Sequence, residues 1–151
     1  MRARLLLGSA AVTLLAFAPL PFPSSKKPAG LDGLWDVGPT LRAGGESPPT
    51  AKSQLLIEKG KWTFLRDGKP TVSYETTVDD KAAIPTLDLR GVTAGKRPAL
   101  TYLGIYKLEG DTLLYSYQSP GGAGAARPTG FKPAGPRHLT MKFQRAKEPK
   151  R

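Results

Sequence analysis

From Leu31 onward, apolar and polar side chains mostly alternate, in short runs separated by Gly, Pro and Asp clusters. Period-two alternation puts successive side chains on opposite faces of an extended chain, so each run predicts a half-buried β-strand. Eight runs qualify: Leu34 to Val37, Ser53 to Glu58, Lys61 to Arg66, Thr71 to Val78, Thr86 to Arg90, Leu100 to Leu108, Thr112 to Gln118 and His138 to Arg145. Past the N-terminal leader, no segment longer than ten residues carries a helical period.

The connections between runs have turn chemistry. Lys59-Gly60 and Asp67-Gly68 are two-residue hairpin signals, and Glu109-Gly110-Asp111 suits a three-residue hairpin with Gly in the left-handed position. Tight hairpins make neighbouring strands antiparallel, and eight strands suffice to close a meander into a barrel. The expected fold is therefore all-β: a single antiparallel eight-stranded up-and-down barrel over residues 31 to 145. The alternation assigns Trp62 with Phe64, Leu87 with Leu89, Leu113 with Tyr115 and Tyr117, and Leu139 with Met141 and Phe143 to the core face. Two stretches, Gly38 to Lys52 and Pro120 to Arg137, read as long loops.

The flanks differ in kind. Residues 1 to 23, MRARLLLGSAAVTLLAFAPLPFP, combine Arg2 and Arg4, an apolar run from Leu5 to Leu20 and a small-residue processing region, the three parts of a secretory signal peptide. The run is short for a span, which takes ~20 apolar residues, and Pro19, Pro21 and Pro23 break its end. Residues 24 to 30 form a Pro-rich linker, and residues 146 to 151 a charged tail expected to be disordered. Export to the periplasm or the extracellular space of a bacterium is the expectation, with no stable membrane anchor after cleavage.

Composition removes several chemistries. With no cysteine there is no disulfide, thiol nucleophile or thiolate ligand, and the single histidine, His138, allows no His pair. No metal and no cofactor are expected. Asp79-Asp80 reads as a solvated turn, Gly121 to Ala125 (GGAGA) lacks the Lys-Ser/Thr ending of a phosphate loop, and Ser116 and Ser119 lack a nucleophile elbow. His138, at the start of the last run, reads as a surface or turn residue. The chain carries a formal charge of +11, or +9 without Arg2 and Arg4, but its basic residues are scattered rather than striped. Scatter argues for solubility as a monomer and against a specific nucleic-acid interface.

The segments LDGLWDV, LLIEKGKWTF, LDLRG, YLGIYKLEGDTLLYSY and ARPTGF, in that order, resemble a family of small exported bacterial domains that are lipocalin-like. The likeness spans Leu31 to about Arg145. It implies a barrel in which Gly33 and Trp35 on the first strand meet an Arg from the last, best matched by Arg145 and less well by Arg137, in a structural role. It implies no activity.

What remains is recognition. Tyr102, Tyr106, Tyr115 and Tyr117 fall on successive strands, so they either pair within a filled core or line a cavity. On the second reading Arg90, Tyr106, Tyr115, Tyr117 and Arg127 are the candidate ligand-binding residues, holding a small amphipathic or anionic molecule at the barrel mouth. The expected function is a non-enzymatic exported ligand-binding domain. The alternative is an envelope interaction module whose basic surface meets an anionic polymer or a protein, and a hydrolase is a distant third.

Overall fold

Two of the three predicted hairpins place consecutive residues at positive φ, the geometry that matches the twist of the strands they join. In the computed structural model, which describes residues 30–49, 52–92, 99–120 and 126–147, Lys59 and Gly60 have φ of 48° and 76°, and Asp67 and Gly68 of 50° and 74°. The third is tighter than its sequence suggests: Glu109 pairs with Thr112, leaving the two-residue loop Gly110-Asp111 with Gly110 at φ 57°.

Nine strands form among the described residues: β1 (Gly33–Arg42), β2 (Gly45–Ser47), β3 (Ser53–Glu58), β4 (Lys61–Arg66), β5 (Lys69–Asp79), β6 (Thr86–Gly91), β7 (Thr101–Glu109), β8 (Thr112–Gln118) and β9 (His138–Arg145). Every pairing is antiparallel, and β1 returns to β9 through Trp35↔Arg145, Val37↔Phe143 and Thr40↔Met141. The protein is an eight-stranded closed up-and-down barrel of the lipocalin-like kind. β2 is an extra strand, hairpinned onto the far end of β1 through Thr40↔Ser47 to Arg42↔Gly45.

The stretch expected to be a loop after Val37 is thus a continuation of β1 plus β2. Gly38-Pro39 reads locally as a breaker, yet the register with β9 shifts between Val37 and Thr40, as at a β-bulge. Gly38 is required there, since a Cβ would sit 2.9 Å from the Lys142 carbonyl oxygen.

Inward side chains fill the barrel unequally. One half is solid: Trp35, Leu55, Trp62, Leu87, Leu113 and Phe143 are fully buried, and Trp62 meets Phe143 edge to face at 5.8 Å between ring centroids. That end is sealed by the residues preceding β1. The Arg145 guanidinium lies 4.1 Å over the Trp35 ring and donates to the carbonyls of Asp32 (3.0 Å) and Gly30 (2.9 Å), while Trp35 Nε1 donates to Leu31 O (2.9 Å). Three consecutive carbonyls are satisfied by one stacked pair. Gly33, at φ 133°, is needed both for its backbone and because a Cβ would meet Arg145 Nη1 at 2.9 Å.

Candidate functional site

The other half of the barrel is not filled. Phe64 on β4, Val72 and Tyr74 on β5, Leu89 on β6, Tyr102 on β7, Tyr115 and Tyr117 on β8 and Met141 on β9 line a cavity of about 250 Å³. All eight follow from alternation, because each lies an even number of residues along its strand from a core side chain or pairs directly with one: Phe64↔Leu55, Tyr74↔Trp62, Tyr102↔Leu89 and Met141↔Tyr115. The barrel is therefore solid at the Trp35 end and hollow at the end where the Asp67-Gly68 turn and the β8–β9 connection lie.

The lining is aromatic and ordered. Phe64 and Tyr74 meet edge to face at 6.1 Å, Tyr74 and Tyr102 at 5.7 Å, and Tyr102 and Tyr117 at 5.5 Å, while Tyr117 stacks on Tyr115 at 5.4 Å. These are the offset and T-shaped arrangements that ring quadrupoles favour. The hydroxyls of Tyr74, Tyr102 and Tyr117 lie near one another, and burial is the first cause raising the pKa of Tyr74, Tyr115 and Tyr117 above the ordinary tyrosine value. They stay protonated at any physiological pH, so they are hydrogen-bond donors set in an apolar wall.

Gly104 makes this wall possible. It is the inward position of β7 between Tyr102 and Tyr106, and the Tyr115 ring occupies the place of its missing side chain: a Cβ there would stand 2.3 to 2.7 Å from Cε2, Cζ and Oη. On the outer side of the barrel Asp88 and Arg127 hold the same residue. Asp88 Oδ1 accepts from Gly104 N (3.3 Å), Arg127 Nη1 donates to Gly104 O (2.6 Å), and Arg127 Nη2 donates to Asp88 Oδ2 (3.0 Å).

Of the five candidate ligand residues, Tyr115 and Tyr117 line the cavity. Tyr106 is packed in the solid half, 9% exposed. Arg90 lies on the outward face of β6, exposed between Leu89 and Gly91. Arg127 is committed to Asp88 and Gly104. The lining residues Phe64, Val72, Tyr74, Leu89, Tyr102 and Met141 were not among those candidates, and neither was Arg42. Arg42 lies two residues beyond Thr40, which pairs with the cavity residue Met141, and it is near enough to Tyr117 for its charge to act on that hydroxyl. The bulge at Gly38-Pro39 hid its inward parity.

The histidine corrects an expectation. His138 is 5% exposed, because the β8–β9 connection folds back over the outer wall and covers it. Its Nδ1 accepts from Ala134 N–H (3.1 Å), which places the ring proton on Nε2, 2.7 Å from Ser116 Oγ. Ser116 Oγ meets Thr140 Oγ1 at 2.7 Å, and Thr140 Oγ1 donates to Phe131 O at 2.8 Å. A general base needs a bare nitrogen toward the hydroxyl it deprotonates. Here that nitrogen carries the proton, so the chain His138, Ser116, Thr140 is a covered hydrogen-bond relay that pins the loop to the wall.

Elsewhere, Asp79 Oδ1 accepts from Lys81 N at 3.0 Å, closing an exposed turn. Among the described residues no three His, Cys, Asp or Glu side chains group as metal ligands. The signal segment, most of the linker and GGAGA lie outside the described residues. A larger depression of about 600 Å³ lies at the solid end, where the candidate Tyr106 borders it together with Leu31, Val78 and Leu108 and the exposed Asp32, Asp80 and Lys107. Comparison with protein-family models, curated proteins and solved structures returned no match.

Proposed function

We propose that this protein is an exported, non-enzymatic carrier or sensor of a small molecule, which enters the hollow half of the barrel. The observation that supports the reading is the cavity itself: eight convergent side chains from six strands, apolar at the base and hydroxylated along one wall. Its 250 Å³ exceeds the ~150 Å³ that accommodates benzene in an apolar core and lies just below the 300 to 1,000 Å³ of drug-sized sites. A ligand of one or two fused rings fits; a porphyrin or a long acyl chain does not.

Thermal melting with a panel of small aromatic and aliphatic compounds tests this reading. A ligand at one hundred times its Kd adds about 2.7 kcal/mol, several degrees in Tm. Trp62, 5.2 Å from Tyr115 at the cavity base, should report the same event by fluorescence. A panel that moves neither signal removes the proposal. The rival reading, attachment to an anionic envelope polymer, draws on the exposed Arg42, Lys52, Arg66 and Lys69 around the open end, and requires binding that fades steeply with salt. Export is tested apart, by N-terminal sequencing of the mature protein from its native compartment.

A further inference from the structure

The open end of the barrel differs from the solid end in charge. Arg42 closes β1, Lys52 precedes β3, and Arg66 and Lys69 flank the β4–β5 turn, against Glu46 and Asp67 at the same end. At the solid end, Asp32, Glu58, Asp79, Asp80, Glu109 and Asp111 offset the lysines of the turns there. The cavity thus opens into a field that attracts anions.

Two of those cations have inward parity. Arg66 is two residues beyond Phe64, and Arg42 two beyond Thr40. Arg42 is one residue past Leu41, which pairs with Thr140, while Tyr117 pairs with the neighbouring Leu139, so the charge of Arg42 acts on the Tyr117 hydroxyl from the end of β1; among the described residues no carboxylate lies within ion-pair distance of it. The cavity wall is the chain of edge-to-face rings Phe64, Tyr74, Tyr102 and Tyr117. A flat ring extends such a chain naturally, whereas a saturated one forfeits the quadrupole match. A guanidinium presents a planar fork, which suits a carboxylate, and neutral tyrosine hydroxyls add donors without further charge.

We infer that the cavity selects an aromatic carboxylate, its ring seated among Phe64, Tyr74, Tyr102 and Tyr117 and its carboxylate held by Arg42 at the mouth. This rests on the ligand-binding reading of the cavity and adds the chemical class. The ligand's charge stays at the rim, where water still reaches it, and only the ring is desolvated, so no unpaired ion is buried.

Calorimetric titration of the full-length chain with three probes separates the two levels. Naphthalene-2-carboxylate keeps ring and charge, naphthalene-2-carboxamide keeps the ring alone, and decahydronaphthalene-2-carboxylate keeps the charge and the carbon frame without the aromatic face. The carboxylate of naphthalene should bind at least tenfold more tightly than either other probe. Arg42→Ala should abolish its advantage over the carboxamide while leaving carboxamide binding within twofold, and Arg42→Lys, which keeps the charge without the fork, should restore only part. Equal binding of acid and amide overturns the assignment to Arg42 while leaving a ligand cavity in place. Equal binding of the two acids overturns the aromatic selection. Binding of no naphthalene probe overturns the cavity reading itself.

Discussion

Replacing Gly104 by alanine should cost the protein both stability and its cavity. The β-carbon would be placed 2.3, 2.6 and 2.7 Å from three atoms of the Tyr115 side chain, where carbon contacts are normally ~3.5 to 4.0 Å. Relief therefore demands a displacement of about 1 Å. Tyr115 is 1% exposed, with Trp62 at 5.2 Å on one flank and Tyr117 stacked at 5.4 Å on the other, so the ring can give way only into the cavity it lines. Overpacking of a tight core costs about 1 to 3 kcal/mol. The entropic gain of alanine over glycine, about 0.4 to 1 kcal/mol at a compatible backbone, offsets part of this. A net loss of about 1 to 2 kcal/mol is expected, or roughly 4 to 12 °C in Tm for a domain near 100 residues. Urea unfolding of Gly104→Ala, Tyr115→Leu and the double variant measures it. If the clash is the cause, the double variant is more stable than the sum of the single losses by at least about 1 kcal/mol, the coupling expected of residues in contact. Losses additive within about 0.5 kcal/mol would refute the steric reasoning.

Three further outcomes follow from the same geometry. Arg145→Ala removes a cation from the Trp35 face and two donors from the exposed carbonyls of Gly30 and Asp32, a loss of about 1 to 3 kcal/mol in chemical denaturation; Arg145→Lys should recover less than half, and full recovery would mean that charge alone matters. Burial lowers the pKa of His138 below its ordinary value, against a smaller opposing effect of the Gly130 backbone, so the unfolded chain binds the proton first. Its contribution is intact above pH ~6.5 and is lost as pH falls from there toward the lowered value; a pH series of melts should show this slope, and His138→Gln should flatten it. Arg127→Ala should raise amide exchange across residues 126–137 with little change in the strands; unchanged exchange there would show that the His138 relay holds the loop unaided.

How much was legible in the sequence divides along physical lines. Strands, hairpins and the inward face were readable because each depends on neighbours in the chain: alternation alone places Trp62, Leu87, Leu113 and Phe143 in the core, and Lys59-Gly60 and Asp67-Gly68 fold as their residues dictate. The site was less legible because it depends on contacts between distant segments. A bulge at Gly38-Pro39 resets the parity of β1 and gives Arg42 inward parity, and no local pattern announces a bulge. Arg90 could have been excluded from alternation, since Leu87 and Leu89 already claim the inner face. His138 and Arg127 depend on a loop folding back over the wall. Tyr74 was readable, as the register partner of Trp62 across a tight hairpin.

Met141 lies in the cavity wall, which makes its methyl group a direct reporter. The most immediate test is the methionine-methyl NMR spectrum of the protein titrated with naphthalene-2-carboxylate. A saturable displacement of the Met141 resonance by the ring current of the bound probe is the result expected of a ligand-binding barrel. A Met141 signal that stays in place at probe concentrations that saturate any binding detected by calorimetry would put the ligand elsewhere and contradict it.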